Sequence, residues 1–369
     1  MTLSNPTIFC LESPEGLSPF VSMSARERLL RQLCALNVDN VFLVSSQNTS
    51  RSYQITANEK TMQVTIIDSR EHSERIKEAG PSVDLRDNYI YLNDALNTLF
   101  KINNAAPDSH ISAEISAQSG TALTTDNRKQ IEKLVFANLS KPTDGIVSRK
   151  INRPMSTFLS RHLVHLKIPP IVYTLMTGVL AILMIATLLS GHMMAAVLGC
   201  VLFQICSMFD GVDGEIARVT YSTSALGARL DTGIDMVTNV LFFIGIQYAL
   251  WVTYQAGYIV LGISIVILAL LGIGMMTALL SFGPGGGSFD ILAKVIKHRF
   301  KHTTWLLSAF DSLNNLFKRD FFAFFFMVLA LLGLQILIPW FLIFGLTIWN
   351  FAILLNAKRI LTWDRSATV

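Results

Sequence analysis

The stretch FDGVDGEIARVTYSTSALGARLDTGID, residues 209–235, decides how the chain folds. It carries Asp210, Asp213, Glu215, Arg218, Arg229, Asp231 and Asp235, the only charged residues between Lys167 and Asp290. Outward from it the sequence is uncharged and apolar over 169–191, 193–209 and 236–289, and again over 321–357. About 20 apolar residues cross a bilayer as a helix. These runs predict six spans, at 169–190, 193–213, 231–253, 258–281, 320–336 and 338–357. Over the whole chain of 369 residues only 15% are charged, against about 25% in soluble domains. With 51% hydrophobic residues, disorder and a soluble globule are both excluded.

Lys and Arg set the expected orientation. The short connections 190–192, 255–257 and 335–339 contain none. The opposite side has Arg149, Lys150, Arg153, Arg161 and Lys167 before the first span. It also has Lys294, Lys297, Arg299, Lys301, Lys318 and Arg319 between the fourth and fifth, and Lys358 and Arg359 after the sixth. Positive charge marks the cytoplasmic face, which places both termini in the cytoplasm of a cell whose inner membrane holds the protein. Residues 1–30 have no apolar core segment, so no signal peptide is expected. Cys10, Cys34, Cys200 and Cys206 show neither a zinc spacing nor a disulfide frame.

The first 140 residues have soluble composition. β-rich runs at 7–11, 41–44, 63–67 and 89–92 alternate with helical patterns at 25–36, 71–79 and 95–102, which predicts an α/β domain with a mainly parallel sheet. Residues 103–127 are expected to be a loose connection, and 127–139 a last helix. The expected division is a cytosolic α/β domain at 1–125, a linker with an amphipathic juxtamembrane helix at 126–167, the six-helix all-α transmembrane bundle at 168–357, and a tail at 358–369.

The chemistry lies in 210–235. Asp210 and Asp213 share a helix face at i, i+3, and Asp231 and Asp235 do so at i, i+4. The intervening loop folds the two helices antiparallel, so four carboxylates converge. Each costs about 2.5–3.5 kcal/mol at a helix centre on insertion scales. One or two divalent cations are the natural neutraliser, and all-oxygen ligands suit Mg²⁺ or Mn²⁺. Such a metal pair clamps a diphosphate. Gly214 and Ala217 keep the helix surface thin beside it, Arg218 is placed as a phosphate partner, Gly227 permits the tight return, and Ser224 is the expected cap of the next helix.

The spacing D-x2-D-G-x2-A-R-x8-G-x3-D-x3-D resembles the signature of the CDP-alcohol phosphotransferase family at every specified position. The resemblance covers roughly 141–357. It implies transfer of a phosphoalcohol from a CDP-alcohol to a second alcohol with release of CMP, as in phospholipid or polar-lipid synthesis. It further implies two divalent ions held by Asp210, Asp213 and Asp231. Asp235 becomes the base on the acceptor hydroxyl and a further metal contact, and Gly214, Ala217, Arg218 and Gly227 line the CDP-alcohol pocket. A homodimer is expected, and no nucleic-acid partner. Within the family, KPTDGIVSRKINRPMSTFLSRHL (141–163) and FKRDFFAFFFMVLALLGL (317–334) resemble di-myo-inositol phosphate phosphate synthases. One departure is Pro169-Pro170, where the family commonly has Pro-Asn. The segment LSPFVSMSARERLLRQLCALNVDNVFLVS (17–45) loosely resembles the opening of sugar-nucleotide nucleotidyltransferases. The loop that should hold a triphosphate there contains Glu12, Pro14, Glu15 and a single Gly16, so this domain is expected to be inactive.

Other signals are weaker. Arg149, Lys150, Arg153 and Arg161 set against Ile151, Met155, Phe158 and Leu159 read as an interfacial helix attracted to anionic lipid, or as a share of the acceptor site. Lys318 and Arg319 read as interface anchors or as holders of an acceptor phosphate. His298 and His302 lack a third ligand, residues 283–288 read as a flexible exit from the fourth span, and His162 and His165 as surface residues. A UbiA-like Mg-diphosphate prenyltransferase spreads its Asp motifs far apart in sequence. A divalent-cation transporter should place polar groups at mid-membrane in several spans, and the carboxylates here fall in only two.

Overall fold

Alternating apolar strands and amphipathic helices open the chain, and they assemble as their periods dictate. The structure, a computed structural model, describes residues 7–13, 19–38, 40–45, 52–78, 82–103, 110–124, 126–139, 144–255, 257–282, 292, 295 and 318–362. Contacts divide it into two units: Met1–Lys141 with Ser156–Tyr173 and Val212–Arg229, and Pro142–Met155 with Thr174–Gly211 and Leu230–Val369.

The strands of the first unit are β1 (Thr7–Leu11), β2 (Pro19–Phe20), β3 (Met23–Ser24), β4 (Val41–Ser45), β5 (Ser52–Ala57), β6 (Lys60–Asp68), β7 (Ser82–Arg86), β8 (Tyr89–Tyr91), β9 (His110–Ile111) and β10 (Gly120–Ala122). Its first helices are α1 (Ala25–Ala35), α2 (His72–Glu78), α3 (Asn93–Asn103), α4 (Ala113–Ala117) and α5 (Arg128–Ala137). Six strands form one sheet in the order β5-β6-β4-β1-β7-β9, parallel except for the β5–β6 hairpin. Its core packs Ile8, Cys10, Leu43, Val64, Val83 and Leu85 against Leu29, Leu30 and Leu33 of α1. Three strands of this sheet, β5, β7 and β9, lay outside the expectation, as did the short β2, β3 and β10. β7 alternates Ser82, Asp84 and Arg86 with its apolar residues, and β5 is a polar edge strand. The run 89–92 is not in the main sheet: β8 pairs only with β10. The supposed loose connection holds β9, α4 and β10.

The chain then enters a π-helical turn at Ser148–Asn152, followed by α6 (Arg153–Leu163), α7 (Pro170–Leu188), α8 (Ala195–Val219), α9 (Ala225–Tyr254), α10 (Tyr258–Phe282), α11 (Arg319–Leu331) and α12 (Ile338–Leu361). Among the described residues five helices are long and apolar enough to cross a membrane: Pro170–Leu188, Ala195–Val219, Ala225–Tyr254, Tyr258–Leu279 and Gln335–Leu361. The protein is a multi-pass membrane protein. The fifth expected span, 320–336, corresponds to α11, whose 13 residues give about 20 Å of helix at 1.5 Å per residue. In the second unit Phe203 stacks on Phe242 at 3.9 Å between centroids, and Phe326 joins the stack at 5.9 Å from Phe242. Gly245 allows α9 close to α7, since a Cβ there would sit 2.7 Å from Ile185 Cδ1. Residues 283–291, with Lys294, Lys297, His298, Arg299, Lys301 and His302, lie outside the described residues.

Candidate active site

Helix α8 runs unbroken through Asp210, Asp213, Gly214, Glu215, Ala217 and Arg218, and α9 begins again at Ala225. Ser224 caps α9 as expected, its Oγ accepting from Gly227 N at 3.0 Å. This contact accounts for the glycine, because a Cβ at residue 227 would lie 2.9 Å from that same Oγ. Gly214 has a similar role. A Cβ there would approach Arg218 Nη1 to 3.0 Å, so the bare backbone makes room for the guanidinium one turn on.

In the second unit, oxygens of Asp210, Asp231 and Asp235 lie within 4.8 Å of one another. Asp213, one turn beyond Asp210 on α8, is buried, and its Oδ1 accepts from the Gly214 N–H. Arg319 at the start of α11 enters the carboxylate group: its Nη1 pairs with Asp235 Oδ1 and lies 3.5 Å from Asp210 Oδ1. The guanidinium carbon also sits 6.0 Å from the Phe203 ring centroid. The Arg319 guanidinium lies among carboxylates gathered this closely, and their mutual repulsion favours a bound cation. The ligand atoms are hard oxygens, and neither His nor Cys belongs to the group, so the donor set fits Mg²⁺ or Mn²⁺. Arg319 Nε and Nη2 are buried without a hydrogen-bond partner among the described residues. Buried donors of this kind call for an acceptor.

The approach to α8 is built from polar contacts that the sequence analysis overlooked. In the first unit Ser156 and Ser160 of α6 donate to the two oxygens of Glu215, each at 2.8 Å, and Glu215 is fully buried. Arg161 and His165 face Glu132 of α5, at 3.8 and 3.6 Å. In the second unit Asn152 donates to Ser207 Oγ at 3.2 Å and accepts from Gln204 Nε2 at 2.9 Å. Arg153 forks onto Asp144 at 2.8 and 3.1 Å. Gly145 packs against the start of α11, where a Cβ would meet Lys318 Cδ at 3.0 Å and Asp320 Oδ2 at 3.1 Å. Met155 and Phe158 are exposed on the other face of α6. The one available signal for Glu215 was the i, i+4 spacing of Ser156 and Ser160, opposite Met155 and Phe158.

Helices apolar enough to span a membrane, together with a group of carboxylates whose oxygens suit a hard cation, define a polytopic membrane protein with an acidic site. Residues 167–349 match the family model of CDP-alcohol phosphatidyltransferase. The chain therefore carries a domain of that family. It is also similar to three proteins named bifunctional IPC transferase and DIPP synthase. That of Thermococcus kodakarensis is 35% identical over 127 residues, 34% of this chain and 28% of the relative. That of Aquifex aeolicus is 36% identical over 124 residues, 32% and 28%. That of Archaeoglobus fulgidus is 35% identical over 117 residues, 32% and 23%. The match thus spans roughly a quarter of each relative's length. Divalent metal ions are general in the family, which agrees with the carboxylate centre.

Proposed function

We propose that the protein transfers a phosphoalcohol from a CDP-alcohol to an acceptor alcohol and releases CMP. The observation that carries this reading is the group of Asp210, Asp231 and Asp235 inside a segment matching the CDP-alcohol phosphatidyltransferase model. A prenyltransferase or a cation transporter is not favoured by that match. Asp210, Asp213 and Asp231, with Asp235, would hold the metal, which when bound screens the donor diphosphate and the charge that builds on the departing CMP. Asp235 takes the proton of the acceptor hydroxyl as that oxygen attacks the alcohol-bearing phosphorus. The bond from this phosphorus to the bridging oxygen breaks, and its electron pair leaves with CMP. Arg319 steadies Asp235 and presents Nε and Nη2 to a phosphate oxygen, while Lys318 adds positive charge at the same helix start. Gly214, Ala217, Arg218 and Gly227 shape the donor pocket.

The same reading places α11 as a sixth, short span and both termini on the cytoplasmic side, with anionic lipid against Arg149, Lys150 and the exposed face of α6, and a second copy of the chain as partner. Likeness to the relatives makes inositol-type alcohols the first donors and acceptors to try. We also infer that the N-terminal domain is no longer a nucleotidyltransferase. In an open parallel sheet ligands enter where strand order reverses, here beside the ends of β1 and β7. At that place Arg26 is already taken by Glu12 at 2.8 Å and Asp87 at 2.7 Å, and Ser13 N and Oγ donate to Asp87 at 3.0 and 2.7 Å.

The test is CMP release by the purified full chain in detergent, given CDP-diacylglycerol or CDP-inositol, a panel of alcohol acceptors, and Mg²⁺ or Mn²⁺. CMP formation dependent on both metal and acceptor is expected; no CMP from any pair would sink the reading.

A further inference from the structure

The connection between the two Asp-bearing helices belongs to the N-terminal unit by its contacts. Helix α8 ends in a Schellman-type turn: Ser222 N donates to Ala217 O at 2.9 Å and Tyr221 N to Arg218 O at 3.4 Å. The residue that turns the chain is Tyr221, at φ 53°, where glycine is favoured because it has no Cβ to clash. What offsets the strain is burial, for Tyr221 belongs to the same hydrophobic core as Ile8, Leu33 and Leu85.

The helix ends on either side are capped by that domain as well. Carbonyls at a helix C-terminus attract cations, and the N–H groups at an N-terminus attract anions. Arg28 Nη1 donates to Val219 O at 2.6 Å, and Arg31 Nη1 to Thr220 O at 3.2 Å. Burial pulls the Arg28 guanidinium below its usual pKa, partly offset by Tyr221, whose ring centroid lies 5.2 Å from it. At the other end, Glu59 Oε1 accepts from Ala225 N, the first residue of α9, at 2.8 Å. Asn58 closes the gap, donating from its N to Tyr221 O at 2.9 Å and accepting from Thr223 N on its Oδ1 at 3.0 Å. Asn58 and Glu59 themselves sit at φ 50° and 64° in the tip of the β5–β6 hairpin. A two-residue turn of this kind suits Asn but not Glu, so local propensity alone does not explain Glu59.

We propose that the N-terminal domain is a positioning element of the transferase site: Arg28, Arg31, Asn58 and Glu59 clamp 219–225 and thereby set Arg218 and Gly227 for the CDP-alcohol. This rests on the transfer reading above. The experiment uses the full chain as Arg28→Ala, Arg28→Lys and Glu59→Gln. Arg28→Ala should raise KM for the CDP-alcohol about tenfold with a smaller change in kcat, the scale of losing a partner that orients a binding residue. Arg28→Lys should recover part of it, and Glu59→Gln should give a smaller rise. Hydrogen exchange of peptides covering 214–230 should speed up in Arg28→Ala, while peptides of β1, β4 and β7 keep their protection. Wild-type KM and unchanged exchange in Arg28→Ala would overturn the proposal. So would a uniform loss of protection across the domain with kcat and KM failing together and no rescue by Lys, which is the mark of a merely structural residue. If wild-type protein turns over no donor, the transfer reading fails, and the exchange pattern alone decides whether the clamp exists.

Discussion

Two clusters of Arg and Asp in this molecule differ in how the arginine uses its donors. Beside β1 and β7, Arg26 is ion-paired with Glu12 and Asp87, and Asp87 is further satisfied by Ser13. Arg26 thus spends all three of its nitrogens inside the domain, on Glu12, Asp87 and Ser13 O. At the ends of α8 and α9, Arg319 meets Asp210 and Asp235 beside Asp231, and two of that guanidinium's nitrogens are unsatisfied among the described residues. A cluster whose cation uses its donors internally holds a fold together, whereas one with gathered carboxylates and a buried guanidinium that keeps spare donors is suited to a ligand. Among the described residues the second has the groups that would suit a divalent cation and a phosphate.

The largest effect should come from the acidic cluster. Asp210→Asn should lower the rate of CMP release by about 10²–10³-fold, the scale of removing one electrostatic contributor, and EDTA should abolish release from wild type until Mg²⁺ or Mn²⁺ is restored. Full activity in chelator would dissolve the contrast between the two regions. Next comes Arg319→Ala, expected to cost about 10–100-fold in rate while Mn²⁺ binding, followed by electron paramagnetic resonance, persists or tightens as a competing cation is lost. Mn²⁺ affinity falling with the rate would mean that Arg319 supports the carboxylates and not the phosphate. Glu215→Gln leaves Ser156 and Ser160 facing a weaker acceptor; a stability loss of about 1–3 kcal/mol is expected from such a buried group, read as a lower thermal transition in detergent, with a modest fall in rate. Smallest is Glu12→Gln in the crevice beside β1 and β7. The partly exposed ion pair is worth about 0.2–1 kcal/mol, and CMP release should stay within twofold of wild type. An effect as large as that of Asp210→Asn would make the crevice part of the active site.

The grouping of Asp210, Asp231 and Asp235 was legible because helix periodicity acts over a few residues, although the close group does not take in Asp213, the expected fourth member. Spacing of three and four puts Asp210 with Asp213, and Asp231 with Asp235, on shared faces whatever lies elsewhere. Ser224 as cap was readable for the same reason, since an N-cap bonds three residues ahead. The strands β7 and β5 were not, because Asp84, Arg86 and the polar residues of 52–57 break the apolar runs that announce a strand. Arg319 was visible as a basic residue at a helix start and was expected to face an acceptor phosphate or the membrane interface. Its pairing with Asp235, 84 positions away, depends on how α11 packs, and no local pattern encodes that.

By itself, then, the sequence determined the helices apolar enough to span a membrane and the face on which the carboxylates gather, since hydrophobicity and helical period are local properties. Tertiary structure alone decided three things: that Arg319 enters the carboxylate cluster, that Glu215 is tied to α6, and that Tyr221 is buried in the α/β core with Arg28 on the end of α8. Each of these joins groups from about 55 to more than 190 positions apart. Such contacts form because burial leaves a charge or a carbonyl in need of a partner, and which partner arrives is settled by packing of the whole chain.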